Sequence, residues 1–382
     1  MRIADCLGFS KEVSTQGLFL NVIFCNLLTL FGPWGAEYKN KGGCVMKKLS
    51  LFLFVFLCAG GLLFSGLQVE ADAKDKVFLF KYANTQSPKH PRTKSMFFFK
   101  DHLEKASNGK IKVEIFHSGV LGKEAEVLDM VKIGTVQGCR GGLFERANKK
   151  FLLYTLPFLF ENAEQVLKVI RSPMGEEINS DALKNGFHIP ATGVAGGFRN
   201  ITSNVKPVQT PADLKGLKMR TPPIDMTIKT FKAIGASPQQ VAYTETYMAL
   251  KTGVVDAQEN PFSNTVDMKF YEVQKYLSVV NWQLHPDPFY VNPAWYNSLP
   301  DDLKSVFDAI AQATLIYSDT IWLNSENGYY YFLKDRLQTN TISGEDRKLF
   351  VEKVKPVWQY YVDEGFFTWD DINKAIAIAQ EK

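Results

Sequence analysis

The stretch 77–133 changes its hydrophobic period repeatedly, and that rhythm restricts the fold more than any other feature of the chain. Val77–Tyr82 is an apolar run of strand length. From Pro91 through Phe97–Leu103 the spacing is helical, until Ser107-Asn108-Gly109-Lys110 breaks it. Ile111–Phe116 alternates as a strand does. Leu121-Gly122 then precedes a helical pattern with Val127, Leu128 and Val131 on one face. Strand, helix, strand, helix predicts an α/β fold: a mainly parallel sheet with helices packed on it.

The rhythm continues. Residues 152–160, LLYTLPFLF, form a nearly unbroken apolar run that fits a buried connection. Phe187–Gly193 and Phe198–Ser203 read as consecutive strands around Gly196-Gly197, a first crossing between two units. Thr210-Pro211-Ala212-Asp213 is a helix start. Leu217–Arg220 reads as a strand, Met226–Ala233 as a helix, Thr244–Lys251 as a helix and Val254–Glu259 as a strand, and Tyr276–Trp282 begins a return crossing. After Leu299-Pro300-Asp301, the residues Leu303, Phe307, Ile310, Thr314, Tyr317 and Ile321 recur at helical steps toward about Leu337. Ser343 and Thr368 open two terminal helices. Two α/β units crossed more than once by the chain, with no flexible linker, predict a hinged cleft with ligand outside the carboxyl ends of strands.

The first seventy-odd residues lie outside this pattern. From Met46 the chain reads MKKLSLFLFVFLCAGGLLFSGLQVEADA, two lysines before an apolar stretch that ends in short side chains. This is an export signal over 46–73, with cleavage after Ala71 or Ala73, and it implies a periplasmic destination. A transmembrane anchor is the competing reading. Residues 1–45 precede it and are read as an over-extended start, with Lys41-Gly42-Gly43 resembling a translated ribosome-binding site. Of the 5 cysteines only Cys139 lies beyond the signal, so no disulfide is expected within the mature chain. A net charge of +4 without a long basic block gives no footprint for nucleic acid.

No nucleophile elbow, Walker loop, H-E-x-x-H or dinucleotide fingerprint is present. The 5 histidines have no ligand spacing, and no metal or other cofactor is implied. What remains is a set of arginines and amides at strand ends. Arg220 ends a strand before Pro222, Arg199 follows Gly196-Gly197-Phe198, and Asn260 precedes Pro261. A guanidinium is a rigid fork of donors that matches a carboxylate's two oxygens, and an asparagine both donates and accepts. Such a set recognises an organic acid without transforming it. A strand-end arginine is also often solvated or in a surface ion pair, so spacing alone leaves both readings open.

Several stretches resemble the extracytoplasmic solute-binding proteins of tripartite ATP-independent periplasmic (TRAP) transporters, the dicarboxylate-binding type: SNGKIKVEIFHSGVLGKEAEVLDMVKIGTV, GGFRNITSN, TPADLKGLKMRTPP, AIGASPQQVAYTETYMALKTGVVDAQENP and EVQKYLSVVNWQLHPDPFYVN, in family order. The resemblance implies a two-domain periplasmic-binding-protein-like fold with a long helix spanning both domains. Domain I is expected at 74–196 plus 286–322, and domain II at 197–285 plus 323–382. It implies Arg220 as the main carboxylate-binding residue, Arg199 as a second arginine, Asn260 as a ligand-holding amide and Tyr243 as a ring against the bound molecule. Arg140, His285, Phe289 and Tyr290 are further expected members of the pocket. Some relatives bridge a keto acid with a metal, which Gln258 and Glu259 leave open. The expected partners are a small organic acid and the small and large membrane subunits of the transporter. A ligand-sensing domain and an exported enzyme on the same fold are the alternatives.

Overall fold

The computed structural model describes residues 76–381; the segments read as an over-extended start and an export signal lie outside the described residues. In chain order the strands are β1 (Phe78–Ala83), β2 (Ile111–Phe116), β3 (Gly138–Arg140), β4 (Thr192–Phe198), β5 (Asn200–Ser203), β6 (Lys218–Thr221), β7 (Ser237–Gln240), β8 (Ala257–Asn260), β9 (Tyr276–Val279), β10 (Leu284–Val291) and β11 (Gln338–Thr341). They form two sheets, ordered β2-β1-β3-β10-β4 and β11-β9-β5-β8-β6-β7.

Each sheet is mixed rather than mainly parallel. β1 pairs parallel with β2 and β3, and β6 pairs parallel with β7 and β8, as strand–helix–strand units require. The antiparallel members are the strands that carry the chain between sheets. β10 runs against both β3 and β4, and β5 runs against both β8 and β9. The two crossings lie side by side: Arg199 N donates to Gln283 O at 2.8 Å, and Trp282 N donates to Arg199 O at 3.3 Å.

Gly196 and Gly197 lie inside β4, not between two strands as the sequence suggested. Both have positive φ, 78° and 109°. A Cβ on Gly197 would stand 2.6 Å from the Trp322 indole, so the glycine pair lets the crossing strand pass directly beneath the long helix.

That helix is Asp301–Lys334, and Gly328 does not interrupt it. At 34 residues it is about 51 Å long. Leu303, Phe307, Ala311 and Leu315 join the core of Phe80, Phe99 and Phe289 beside the first sheet. Leu333, at its other end, packs with Leu277 and Phe262 of the second-sheet half. One helix therefore rests on both halves. The helix Gly344–Asp363 lies against Asp225–Ala233, and the terminal helix Trp369–Gln380 lies against Ala163–Ile170. Thr368 caps the latter by accepting from Asp371 N, with Asp371 Oδ2 accepting from Thr368 N in return.

Candidate functional site

β6 stops at Thr221 because Pro222 and Pro223 have no N–H with which to continue the ladder. Arg220 is held between two strands, with Gln239 of β7 and Gln258 of β8 as its neighbours in register. Its Nε donates to Val241 O at 3.0 Å, and the residue is 1 % exposed. No carboxylate oxygen of the described residues comes within 4.0 Å of its guanidinium. Burial pulls its pKa down to about 10; the nearby Glu259 opposes this and Arg199 adds to it. Among the described residues Arg220 is thus a buried cation with no carboxylate in contact with it.

It opens onto a cavity of about 370 Å³. One wall comes from residues after β1 and β3 (Thr85, Gln86, Gly142, Leu143) and from the helix starts at Arg92 and Glu124. The other comes from residues at or after β6, β7 and β8 (Arg220, Pro222, Gln240–Glu245, Asn260). The site thus sits outside carboxyl ends of strands of both sheets, where α/β folds place their ligands.

Of the expected residues, Arg220, Arg199, Asn260, Tyr243 and His285 are brought together here. Arg199 is neutralised: its Nε and Nη2 hold the two oxygens of Glu259 in a fork, and Nη2 also donates to Asn260 Oδ1 at 3.1 Å. Asn260 Nδ2 donates to Gln258 Oε1 at 2.6 Å. His285 Nε2 lies 2.6 Å from Gln283 Oε1, which can only accept, so Nε2 carries the proton and Nδ1 is left to accept from Arg199 Nη1 at 3.4 Å. Burial and then the three arginines push His285 well below its ordinary pKa, and the ring is neutral. The Tyr243 hydroxyl accepts from Asn264 Nδ2 at 3.1 Å.

Three expected members are elsewhere. Arg140 is within β3, opposite Phe289, and its guanidinium turns into the protein to Asp287, Ser95 and Ser318. Phe289 stacks on Tyr82 at 4.6 Å inside the first-sheet core. Tyr290 belongs to the other core cluster, edge-on to Phe187. Consecutive residues of a strand face opposite sides of its sheet, and β10 is covered on both sides, so neither ring reaches the cavity. Four lining residues that the sequence reading passed over are Arg92, Glu124, Gln86 and Asn264. Arg92 follows Pro91 in the first turn of its helix, and Glu124 begins another; both look like ordinary helix starts in sequence.

Residues 82–364 match the model of the family described as bacterial extracellular solute-binding protein, family 7. The chain belongs to that family. The C4-dicarboxylate-binding periplasmic protein DctP of Vibrio cholerae is 30% identical over 311 residues, which is 78% of this chain and 89% of the relative. Among solved structures, a TRAP periplasmic solute-binding protein of Shewanella oneidensis with bound succinate superposes with a TM-score of 0.76 at 27% identity, over 80% of this chain and 100% of that one. The sugar acid binding protein DctPAm of Advenella mimigardefordensis, in complex with galactonate, gives 0.76 at 26% identity, over 80% and 98%. The two-domain periplasmic solute-binding fold expected from sequence is therefore the fold of this chain.

A bridging metal, which the resemblance left open at Gln258 and Glu259, does not suit those residues as they are bonded here. Both Glu259 oxygens are committed to Arg199 and Gln258 Oε1 to Asn260. Among the described residues no three His, Cys, Asp or Glu side chains converge to hold a cation, and no helix is long and apolar enough to cross a membrane.

Proposed function

We propose that this chain is an exported, periplasmic solute-binding protein that captures a small organic acid and delivers it to the small and large membrane subunits of a TRAP-type transporter. One observation carries the reading: Arg220 is buried at a strand end, faces a cavity, and has no protein counter-ion among the described residues. A carboxylate docking there supplies the missing charge and accepts the guanidinium's free N–H groups as a pair.

The role is capture without chemistry. Arg199 and Asn260 hold one another and present fixed donors beside Arg220. His285 is neutral and bonded on both nitrogens, which suits a wall better than a proton shuttle. Because the ligand touches residues of both sheets' loops, it favours the state in which they are together. The relatives named for C4-dicarboxylates and for galactonate support an organic acid as the cargo class.

The test is a thermal-shift screen of an organic-acid panel followed by calorimetry. Arg220→Ala is expected to weaken binding by about 2–5 kcal/mol, because it strands a desolvated carboxylate. Arg220→Lys weakens it less, since one point charge replaces a planar fork. Unchanged affinity in Arg220→Ala overturns the reading.

A further inference from the structure

The two walls of the cavity are joined on one side by the chain itself. The crossing strands β4 and β10 pass there and give Ala195 and His285 to the lining. Elsewhere the walls meet through side chains, at two places. At the first, Asp267 Oδ2 accepts from Ser87 N at 3.2 Å, and Oδ1 accepts from the Ser87 hydroxyl. Ser87 follows Gln86, which lines the first wall. Asp267 ends the short helix Phe262–Asp267, three residues after Asn264, which lines the second. His90 meets the same helix: its Nδ1 accepts from Arg92 N, so Nε2 carries the ring proton and donates to Asn264 Oδ1 at 3.3 Å. At the second place, Lys123 Nζ lies 2.6 Å from Glu245 Oε1. Lys123 caps the helix that begins at Glu124, and Glu245 shares a helical turn with Tyr243. A Cβ on Gly119 would stand 3.1 Å from Thr244 Cγ2, so the loop ahead of Lys123 also touches the second wall.

Both contacts are protein to protein and need no atom of a bound molecule. The segments carrying Gln86 and Glu124 cannot part from those carrying Asn264 and Tyr243 until these contacts break. Bonds made only while the walls are together favour that state, and their loss is felt chiefly in the rate at which a bound molecule leaves. The two places differ physically. Asp267 is half-buried and accepts from neutral donors, so salt has little to screen. Lys123 and Glu245 stand at the cavity edge with side chains 49% and 52% exposed, and such a pair weakens as salt rises.

We propose that Ser87–Asp267 and Lys123–Glu245 form a two-point clasp that sets how long a captured acid stays, with the ion pair as its salt-sensitive half. All four are positioning residues that act through the walls. The proposal rests on the reading of this cavity as the ligand site.

The experiment has one arm without ligand and one with it. In the first, the double variant Ser87→Cys/Asp267→Cys is oxidised with diamide; Cys139, the other cysteine beyond the export signal, is buried. An intramolecular cross-link is expected, and its failure to form overturns the contact whatever the cavity binds. In the second arm, release of succinate and of galactonate is followed by stopped-flow tryptophan fluorescence. Ser87→Ala is expected to speed release about 10-fold, the loss of a hydrogen bond to a charged acceptor. Lys123→Met speeds it about 2–5-fold, as an exposed pair implies. From about 0.05 M to about 1 M NaCl, wild-type release quickens more than that of Lys123→Met. The charge swap Lys123→Glu/Glu245→Lys restores wild-type release, which a direct contact between Lys123 and the anion would not allow. Unchanged release in Ser87→Ala or in Lys123→Met overturns that half of the clasp and leaves Arg220 as anchor. An effect confined to the association rate overturns it as well, because that is steering. Binding of neither acid, with the cross-link formed, overturns the proposal together with the reading it rests on.

Discussion

Arg92 and Arg140 donate to the same oxygen, Asp287 Oδ2. One guanidinium comes from the helix Pro91–Ala106 and the other from β3, and the carboxylate is on β10, the strand that enters from the second half. Arg140 also reaches Ser95 and Ser318, so helix, strand and long helix are tied at one point behind the cavity wall. Removing the shared carboxylate strands two buried cations at once. Asp287→Asn is therefore expected to destabilise the protein by about 3–5 kcal/mol, read from chemical denaturation, because breaking a buried pair leaves uncompensated charge. Arg140→Met leaves Asp287 its partner Arg92 and is expected to lower stability less and to leave ligand affinity within a few-fold of wild type. A loss of binding as large as that of Arg220→Ala would return Arg140 to the ligand site.

Arg220 is predicted to be a residue that the empty protein holds at a cost. Burial pulls its folded-state pKa down from the ordinary arginine value to about 10, so the unfolded chain binds that proton more tightly. The penalty is present at every pH below about 10 and is relieved only as the pH rises through that value toward the ordinary arginine range. Arg220→Met removes the buried charge and keeps the apolar stem. The ligand-free variant is expected to be more stable than wild type by about 1–3 kcal/mol at neutral pH, and its ligand-induced rise in Tm should vanish. A ligand-free Tm below wild type would argue that the cation has a protein counter-ion after all.

Arg220 and Asn260 were legible in sequence because a proline just beyond each marks where a strand must end, and strand ends face ligands in this class of fold. Arg140 misled because its strand does lead to the cavity, but only through Gly142 two residues later. Phe289 and Tyr290 misled because aromatic side chains suit a pocket and a core equally well. Arg92 and Glu124 carried no distinguishing signal: a charged residue in the first turn of a helix is common, and only the tertiary arrangement turns these two toward the same space. The two-sheet plan was readable from periodicity, whereas the direction of the crossing strands depends on topology that no local pattern encodes.

His90 gives a prediction for acid stability. The ring caps its helix, Nδ1 accepting from Arg92 N at 3.1 Å, and Nε2 lies 3.3 Å from Asn264 Oδ1. Burial lowers its pKa from 6.5 to about 4; Arg92 contributes to this, while Asp267 and Asp287 oppose it. The unfolded chain therefore takes up this proton first as the pH falls. Stability is fully present above 6.5 and is lost progressively toward about 4, in total by about 2–3 kcal/mol. The Glu145 carboxyl, raised to about 7 by burial, runs the other way and gains stability as the pH falls. The measurement is therefore a difference: denaturation midpoints of wild type and His90→Gln from pH 7 to 4. The gap between them is expected to shrink or reverse as the pH drops, because only wild type has this imidazole to protonate. Parallel profiles would show that the ring titrates as it does in water.

Gly197 supplies the sharpest steric prediction. Its φ of 109° is one that side-chain-bearing residues rarely adopt, and a Cβ there would meet three atoms of the Trp322 indole at 2.6–2.7 Å. That ring is fixed from its other side, since its Nε1 donates to Glu326 Oε2 at 2.7 Å, one turn along the same helix. It cannot retreat without breaking this bond or lifting the long helix from β4. Gly197→Ala is expected to cost about 2–4 kcal/mol, combining overpacking with backbone strain. The crossing strands β4 and β10 share their register here through Leu284 and Phe198, so the strain falls where the two halves join. Pairing the variant with Trp322→Phe, which shortens the ring, should recover part of the loss while leaving the φ penalty. Non-additivity in that double-mutant cycle, read by thermal denaturation, is the check; strictly additive losses would place the glycine's role in the backbone alone.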